Sequence, residues 1–499
     1  MKFELTRRDF LKTTVAATAA SAAVIAMPTS TAYAVDEFFA LDGLAQAALV
    51  RKGDVTPLEL LDAAIARAEA LNPKLNAIVT PMYELARERT KGELPEGPFK
   101  GVPTLMKDLL DYEGVRTAYG SRMMMGNIAP TTHPLGKAME TMGMVIFGKS
   151  ATPEFGLLPT TESVAFGPTN NPWNLSHSPG GSSGGTGAAV AAGITPIAQG
   201  SDGGGSIRIP STNCGLFGMK PTRGRVVNTP GTPRTGDLSV RGFLSRSVRD
   251  SKVALGGSTA RDTALPMVSG WNIEGKKLRI AVAVNAATGD KPHPECAKAI
   301  LNTAKLCEEL GHEVEEAAPP IDGEQFSWAM LTLWSNIPHM TIEQVKAATG
   351  NPPPKAALEG WTWGLAESFA KQEDGALAKA AEHMKLVTQQ LNTFLDSYDM
   401  LLTPVLASPP AKTGDMAPNV DYQTLFDRVI EYAGYTPPAN AAGLPAMSVP
   451  LHWTPEDLPV GSHFVGQFGE ERKLFALAEQ LEAAQPWADR WPKTSAKYI

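Results

Sequence analysis

The sequence predicts an α/β protein built as one large domain, and three observations predict it. Short apolar runs of strand length alternate with longer segments of helical apolar spacing along most of the chain. The 499 residues suffice for a large core. Pro-rich breaks at 319–320, 352–354 and 409–410 bound a mostly helical middle and read as loops within the domain, with no internal repeat or low-complexity linker.

The elements follow in order. Residues 41–71 read as helical: Ala47, Ala48, Leu60, Leu61, Ala64, Ile65 and Ala68 recur at helical spacing. Within them, Thr56-Pro57 with Glu59 is a helix-start signature. Residues 101–107 and 143–148 are short buried strands, and 188–193 is a helix of small residues. Residues 277–284 form a strand, 294–310 a helix and 312–317 a strand. Strands at 400–403 and 446–449 and an amphipathic helix at 472–484 close the chain.

The N-terminal stretch stands apart from this fold. Thr6-Arg7-Arg8-Asp9-Phe10-Leu11-Lys12 resembles a twin-arginine export signal. The apolar run at 13–27 is short for a membrane span, and Ala32-Tyr33-Ala34 reads as a cleavage site. Residues 1–34 are therefore expected to be a signal peptide and 35–499 the working domain. The destination is the bacterial periplasm or the cell exterior.

Composition excludes several functions. An apolar fraction of 43%, a charged fraction of 19% and a net charge of −7 describe an ordinary globular protein with no electrostatic reason to bind nucleic acid. Three cysteines do not make a disulfide framework. Cys296 and Cys307 fall on a helical pattern and, even with His312, form no compact ligand motif; they read as packed core residues.

Chemistry concentrates in two glycine-rich runs, Ser178-Pro-Gly-Gly-Ser182-Ser183-Gly-Gly185 and Gly200-Ser-Asp-Gly-Gly-Gly-Ser206-Ile-Arg-Ile-Pro210. Acyl transfer to serine needs a hydroxyl, a base and N–H donors aimed at an oxyanion. Three glycines before Ser206 let successive N–H groups converge and a substrate carbonyl approach, so Gly203, Gly204, Gly205 and Ser206 are candidate donors and Ser206 the candidate nucleophile. The eight histidines are scattered and suggest no Ser-His-Asp set. Gly180 to Gly185 also fits G-x-S-x-G in two registers, but turn residues precede it where a nucleophile elbow needs an apolar strand. No phosphate-binding run is present. Taken alone, Lys107 reads as a solvated strand end, and Ser182 and Ser183 as caps of the helix that follows.

Together these segments resemble the amidase signature family. The run from Gly180 to Ser211 matches its motif, with Ser182, Asp202, Ser206, Arg208 and Pro210 in place. Gly101-Val-Pro-Thr-Leu-Met-Lys107-Asp108 resembles its lysine motif, 75 residues before Ser182, and Ser182 lies 24 before Ser206. Cys214-Gly-Leu-Phe-Gly-Met-Lys-Pro-Thr222, Gly443-Leu-Pro-Ala-Met-Ser-Val-Pro450 and residues 458–466 are also similar, so the resemblance spans nearly the whole mature chain. The contexts Thr152-Pro-Glu-Phe-Gly156 and Asn171-Pro-Trp173 resemble the branch containing 6-aminohexanoate cyclic-dimer hydrolase.

The resemblance implies a large mixed, twisted sheet flanked by helices. It implies hydrolysis of a carbon–nitrogen amide bond through a Ser206 acyl-enzyme, with Ser182 as proton shuttle, neutral Lys107 as base and no metal or organic cofactor. It also implies a cis Gly181–Ser182 peptide bond. Asp202 and Arg208 read as a structural pair across the turn. Gly203 stands where many family members carry a larger apolar residue, which adds freedom to the oxyanion loop.

The expected partners are a small-molecule amide and, during export, the twin-arginine translocase; a homodimer stays open. Esterase side activity is expected. Two other classes remain. A transamidation-complex subunit is disfavoured by the export signal, and an inactive binding protein by the intact Lys107, Ser182 and Ser206. Trp328, Met330, Trp334, Met340, Trp361 and Trp363 fall within residues 326–363, where two readings stay open: helical core packing or the wall of an acyl pocket.

Overall fold

The computed structural model describes residues 37–229 and 238–499. The twin-arginine run and the cleavage site at 32–34 lie outside the described residues. Residues Glu37–Ile499 make up one compact unit.

Its strands, in chain order, are β1 (Ile78–Pro81), β2 (Pro103–Lys107), β3 (Val145–Ser150), β4 (Glu162–Ser163), β5 (Gly167–Pro168), β6 (Ile197–Asp202), β7 (Phe217–Lys220), β8 (Val240–Ser245), β9 (Arg279–Val282), β10 (Glu313–Glu316), β11 (Met400–Pro404), β12 (Ala446–Trp453) and β13 (Pro459–Gly466). Eight form a mixed sheet in the order β10-β9-β11-β13-β12-β7-β8-β6. The β10-β9-β11 edge is parallel and the remaining pairs are antiparallel. A three-stranded sheet, β1-β3-β2, lies beside it. β2 approaches β6 through side chains: Thr104 Oγ1 donates to the Ile197 carbonyl at 2.9 Å, and Gln199 Oε1 accepts from the Lys107 N–H at 2.9 Å. That seam sets the C-terminal ends of β2 and β6 side by side, and both ends carry site residues.

The helical stretch expected at 41–71 is two helices, Gly43–Lys52 and Pro57–Leu75. Gly53 ends the first with φ 75°, a left-handed turn that glycine adopts without penalty. Thr56 and Glu59 then form a reciprocal capping box, and Pro57 has no N–H to continue the earlier helix. Leu60, Leu61, Ala64, Ile65, Ala68 and Leu71 enter the core. The small-residue helix starts earlier than expected and spans Gly184–Ala191, buried along its whole length. A Cβ on Gly185 would overlap the Ala151 backbone, so the close approach of this helix to β3 requires glycine. Cys296 and Cys307 lie on the buried face of Pro294–Glu309. The helical middle comprises Gly323–Thr349, Gly360–Ala370 and Ala376–Leu395, and Glu471–Ala484 is the last long helix.

Candidate active site

Lys107 ends β2 and is fully buried. Its Nζ lies 2.7 Å from Ser182 Oγ and 3.0 Å from Ser201 Oγ, and no carboxylate among the described residues pairs with it. Burial holds its pKa well below the usual lysine range, and the charge of Asp202 only partly opposes this. The Gly181–Ser182 peptide bond is cis. Ser183 precedes the helix Gly184–Ala191 but makes no side-chain cap; its Oγ donates to the Ser201 carbonyl and accepts from the Ser201 N–H, both at 3.2 Å. Ser183 therefore fastens the serine loop to β6.

Ser206 lies just beyond β6 and lines a cavity of about 940 Å³ with Gly156, Gly204, Phe326, Met330 and Trp334. Its hydroxyl makes no hydrogen bond among the described residues. Gly156, also on the cavity wall, lies close to Ser182: a Cβ there would be 3.1 Å from Ser182 Oγ. The structure thus brings Lys107 and Ser182 into contact and sets Ser206 on the cavity wall.

The loop before Ser206 is shaped by Asp202. Its carboxylate accepts from the N–H groups of Gly205 (2.8 Å) and Ile207 (3.2 Å). It also takes a two-pronged contact from Arg208, Nε and Nη2 each at 2.9 Å. Burial would raise its pKa, but the adjoining Arg208 cation and its hydrogen bonds hold the group well below the carboxylate range. Asp202 and Arg208 are a buried pair, as the sequence suggested.

The Gly205 N–H, an expected oxyanion donor, is engaged by Asp202 Oδ1 at 2.8 Å. The N–H groups of Gly203, Gly204 and Ser206 have no acceptor among the described residues. Gly205 is needed for another reason: its φ is 132° and a Cβ would overlap Thr436 Oγ1. Gly205→Ala is therefore expected to cost about 2 kcal/mol or more. At Gly204 a Cβ meets only Met330 Cε at 3.5 Å, an ordinary contact, so Gly204→Ala should unfold like wild type. Urea melts of the two variants check this, and equal midpoints would refute it.

The aromatic region divides. Phe326, Met330 and Trp334 line the cavity. Trp328 and Met340 are exposed on the outside, and Trp361 is buried beneath, its indole N–H donating to the Leu157 carbonyl at 3.2 Å. One stripe of the helix Gly323–Thr349 thus faces the cavity, and Trp328 and Met340 do not line it.

With this geometry in place, the comparison with known proteins is direct. A family profile described as Amidase matches residues 59–475. The chain belongs to the amidase family. A second profile, the twin-arginine translocation signal, matches residues 4–24, so this amidase is exported to the periplasm or beyond. A 6-aminohexanoate-cyclic-dimer hydrolase of a Pseudomonas species (strain NK87) is 34% identical over 478 residues, covering 91% of this chain and 96% of that protein. The solved structure of 6-aminohexanoate cyclic dimer hydrolase superposes with a TM-score of 0.85 at 32% identity, covering 91% of this chain and 99% of the other. A bacterial aryl acylamidase of the amidase signature family gives a TM-score of 0.79 at 26% identity, covering 90% and 97%. The mixed α/β fold is the one these structures share, and the protein is a hydrolase of amide bonds.

Several residues of the amidase site escaped the sequence reading. Ser201 and Gln199, on β6, hold the Lys107 side chain and backbone. Asn440 Nδ2 donates to Asp202 Oδ1 at 2.9 Å and its Oδ1 accepts from Arg208 at 2.6 Å, while Thr436 Oγ1 donates to the Gly204 carbonyl at 2.6 Å. His463 Nε2 lies 2.8 Å from Arg208 Nη1. Arginine only donates, so Nε2 accepts and the Nδ1–H donates to Thr403 Oγ1 at 2.9 Å. Burial, then the Arg208 charge, keeps this imidazole neutral. Ser201 sits in the glycine-rich run and was open to notice. Asn440, Thr436 and His463 lie more than 200 residues from the Arg208 and Gly204 groups they meet, and nothing local marks them.

Proposed function

We propose that this exported amidase cleaves a small-molecule carbon–nitrogen amide through a Ser206 acyl-enzyme, with Ser182 and neutral Lys107 as the proton relay. One observation carries the reading: a fully buried lysine amine, with no carboxylate partner among the described residues, lies 2.7 Å from Ser182 Oγ. Burial lowers the pKa of a lysine held in that setting, which suits it to act as a base.

Ser206 Oγ attacks the amide carbonyl as its proton passes to Ser182 and the Ser182 proton passes to Lys107 Nζ. The oxyanion forms where the N–H groups of Gly203, Gly204 and Ser206 are unengaged. The C–N bond then breaks, and the relay runs backward to protonate the departing amine. Water attacks the ester through the same relay, releasing the carboxylic acid and restoring Ser206.

The test is fluorophosphonate labelling of the mature chain, with the modified peptide mapped by mass spectrometry in wild type, Ser206→Ala and Lys107→Ala. The label is expected on Ser206, absent from the first variant and slowed at least about 100-fold in the second. A label on Ser183, or none in a demonstrably folded protein, overturns the reading.

A further inference from the structure

The helix Gly323–Thr349 starts on Asp322, whose Oδ1 accepts from the Gln325 N–H at 3.0 Å. From that start, Phe326, Met330 and Trp334 fall four residues apart and share one face, and all three line the Ser206 cavity. Two of them meet the oxyanion loop where it has no side chains. A Cβ on Gly204 would lie 3.5 Å from Met330 Cε, and a Cβ on Gly203 would lie 3.2 Å from both Cη2 and Cζ3 of Trp334. The second spacing is tighter than an ordinary contact. The indole thus occupies the space that a side chain at position 203 would need.

The ring is also held at its other end. Trp334 Nε1 donates to the Leu157 carbonyl at 3.3 Å, and the same oxygen accepts from the buried Trp361 at 3.2 Å. A carbonyl has two lone pairs, so both donors are satisfied at once. Leu157 and Gly156 also line the cavity. The indole spans from one loop to the other, with only two side-chain torsions and both ends in contact.

We propose that Trp334 is a specificity-determining residue that takes the place of a side chain at position 203 and narrows the acyl pocket beside Ser206, so that the site admits acyl groups unbranched next to the reacting carbonyl and rejects branched ones. This rests on Ser206 being the nucleophile. A pinned ring cannot turn aside for a branched group as a flexible side chain would, so the discrimination is steric.

The test compares rates of Ser206 labelling by two alkyl fluorophosphonates, one with a straight chain on phosphorus and one branched at the first carbon. Wild type should prefer the straight probe. Trp334→Leu should raise the branched-to-straight ratio at least about tenfold, and Trp334→Phe should fall between; it retains an aromatic ring and guards against a folding defect in the leucine variant. Gly203→Ala should slow labelling at least about tenfold in the wild-type background, and less than about threefold beside Trp334→Leu, because the added methyl then has room. Ratios within twofold of wild type in both tryptophan variants, or an equal Gly203→Ala effect in both backgrounds, overturn the inference. A wild type that does not label on Ser206 overturns the acyl-enzyme reading and this inference with it, whereas a labelled wild type with unchanged ratios overturns this inference alone.

Discussion

Lys107→Met is expected to lower kcat at about pH 8 by roughly 10³-fold or more while leaving the protein folded, and to raise its stability relative to wild type most strongly at acid pH. The rate effect follows from removing the base of the proposed relay. The stability effect follows from burial. An unfolded lysine keeps its proton up to about pH 10, whereas the buried Lys107 amine is held well below that range. Between the native and the unfolded pKa, the unfolded chain binds one proton more than the native one. The stability of wild type from this group then rises with pH, by roughly tenfold in the folding equilibrium per unit. Methionine carries no such term. Its advantage over wild type should therefore be largest at the acid end of that window and shrink as pH rises. The hydroxyls of Ser182 and Ser201 lose a partner in the variant, a cost of about 1–3 kcal/mol each that does not vary with pH. Urea midpoints at several pH values measure the difference. A constant offset between the two proteins would mean that Lys107 is charged in the native state and would remove the base from the relay. The same shift predicts an acid limb in the wild-type pH–rate profile, activity falling as Lys107 takes up its proton.

Arg208→Met is expected to cost about 3–5 kcal/mol, because it leaves the Asp202 carboxylate buried without its cation. Arg208 is fully buried and reaches Asp202 by two hydrogen bonds, the Thr436 carbonyl at 2.9 Å, Asn440 Oδ1 at 2.6 Å and His463 Nε2 at 2.8 Å. One residue thereby ties the turn before Ser206 to the segment around residue 436 and to β13. Asp202→Asn alone should also be costly, since Arg208 then keeps its charge with no anion beside it. The double variant should lose less than the sum of the two, and this non-additivity is the signature of a buried pair. Lys220 bears on the outcome. It is fully buried, its Nζ bonds to the Pro221 carbonyl at 2.9 Å, and burial followed by the Arg208 charge pushes its pKa down to about 7. Removing Arg208 relieves Lys220 of a like charge but does not supply the Asp202 contacts. Chemical denaturation of the single and double variants decides the matter, and additive costs would refute the coupling.

The parts of the fold that were legible are those with a local signal. β2 and β3 are apolar runs, and the helix Pro57–Leu75 starts at a capping box written in Thr56, Pro57 and Glu59. β6 was not read as a strand, because Ile-Ala-Gln-Gly-Ser-Asp shows neither alternation nor an apolar run. It is nevertheless buried throughout, its polar side chains satisfied by other elements, as Gln199 is by the Lys107 N–H. The helix Arg208–Cys214 is also buried throughout, and its Arg208, Thr212 and Asn213 side chains bond to other segments. A buried polar element leaves no hydrophobic period to follow, because tertiary hydrogen bonds take the place of apolar packing.

The sequence by itself determined the chemical inventory of the amidase: a lysine ending an apolar strand, two serines in glycine-rich turns at the family's spacing, and an export signal ahead of them. These are covalent and local facts, and local spacing is enough to state them. Only the tertiary structure decided which groups are free to act. Among the described residues, it buried Lys107 without a counterion, committed the Gly205 N–H to Asp202, and left those of Gly203, Gly204 and Ser206 unengaged. It also chose Trp334 over Trp328 for the cavity wall. The short Asp202–Gly205 contact sits in a turn that the distant Asn440 helps to hold. The burial of Lys107 and the choice of Trp334 depend on desolvation and on contact between segments tens to hundreds of residues apart. Neither is encoded at the position it affects; both arise when the chain closes on itself.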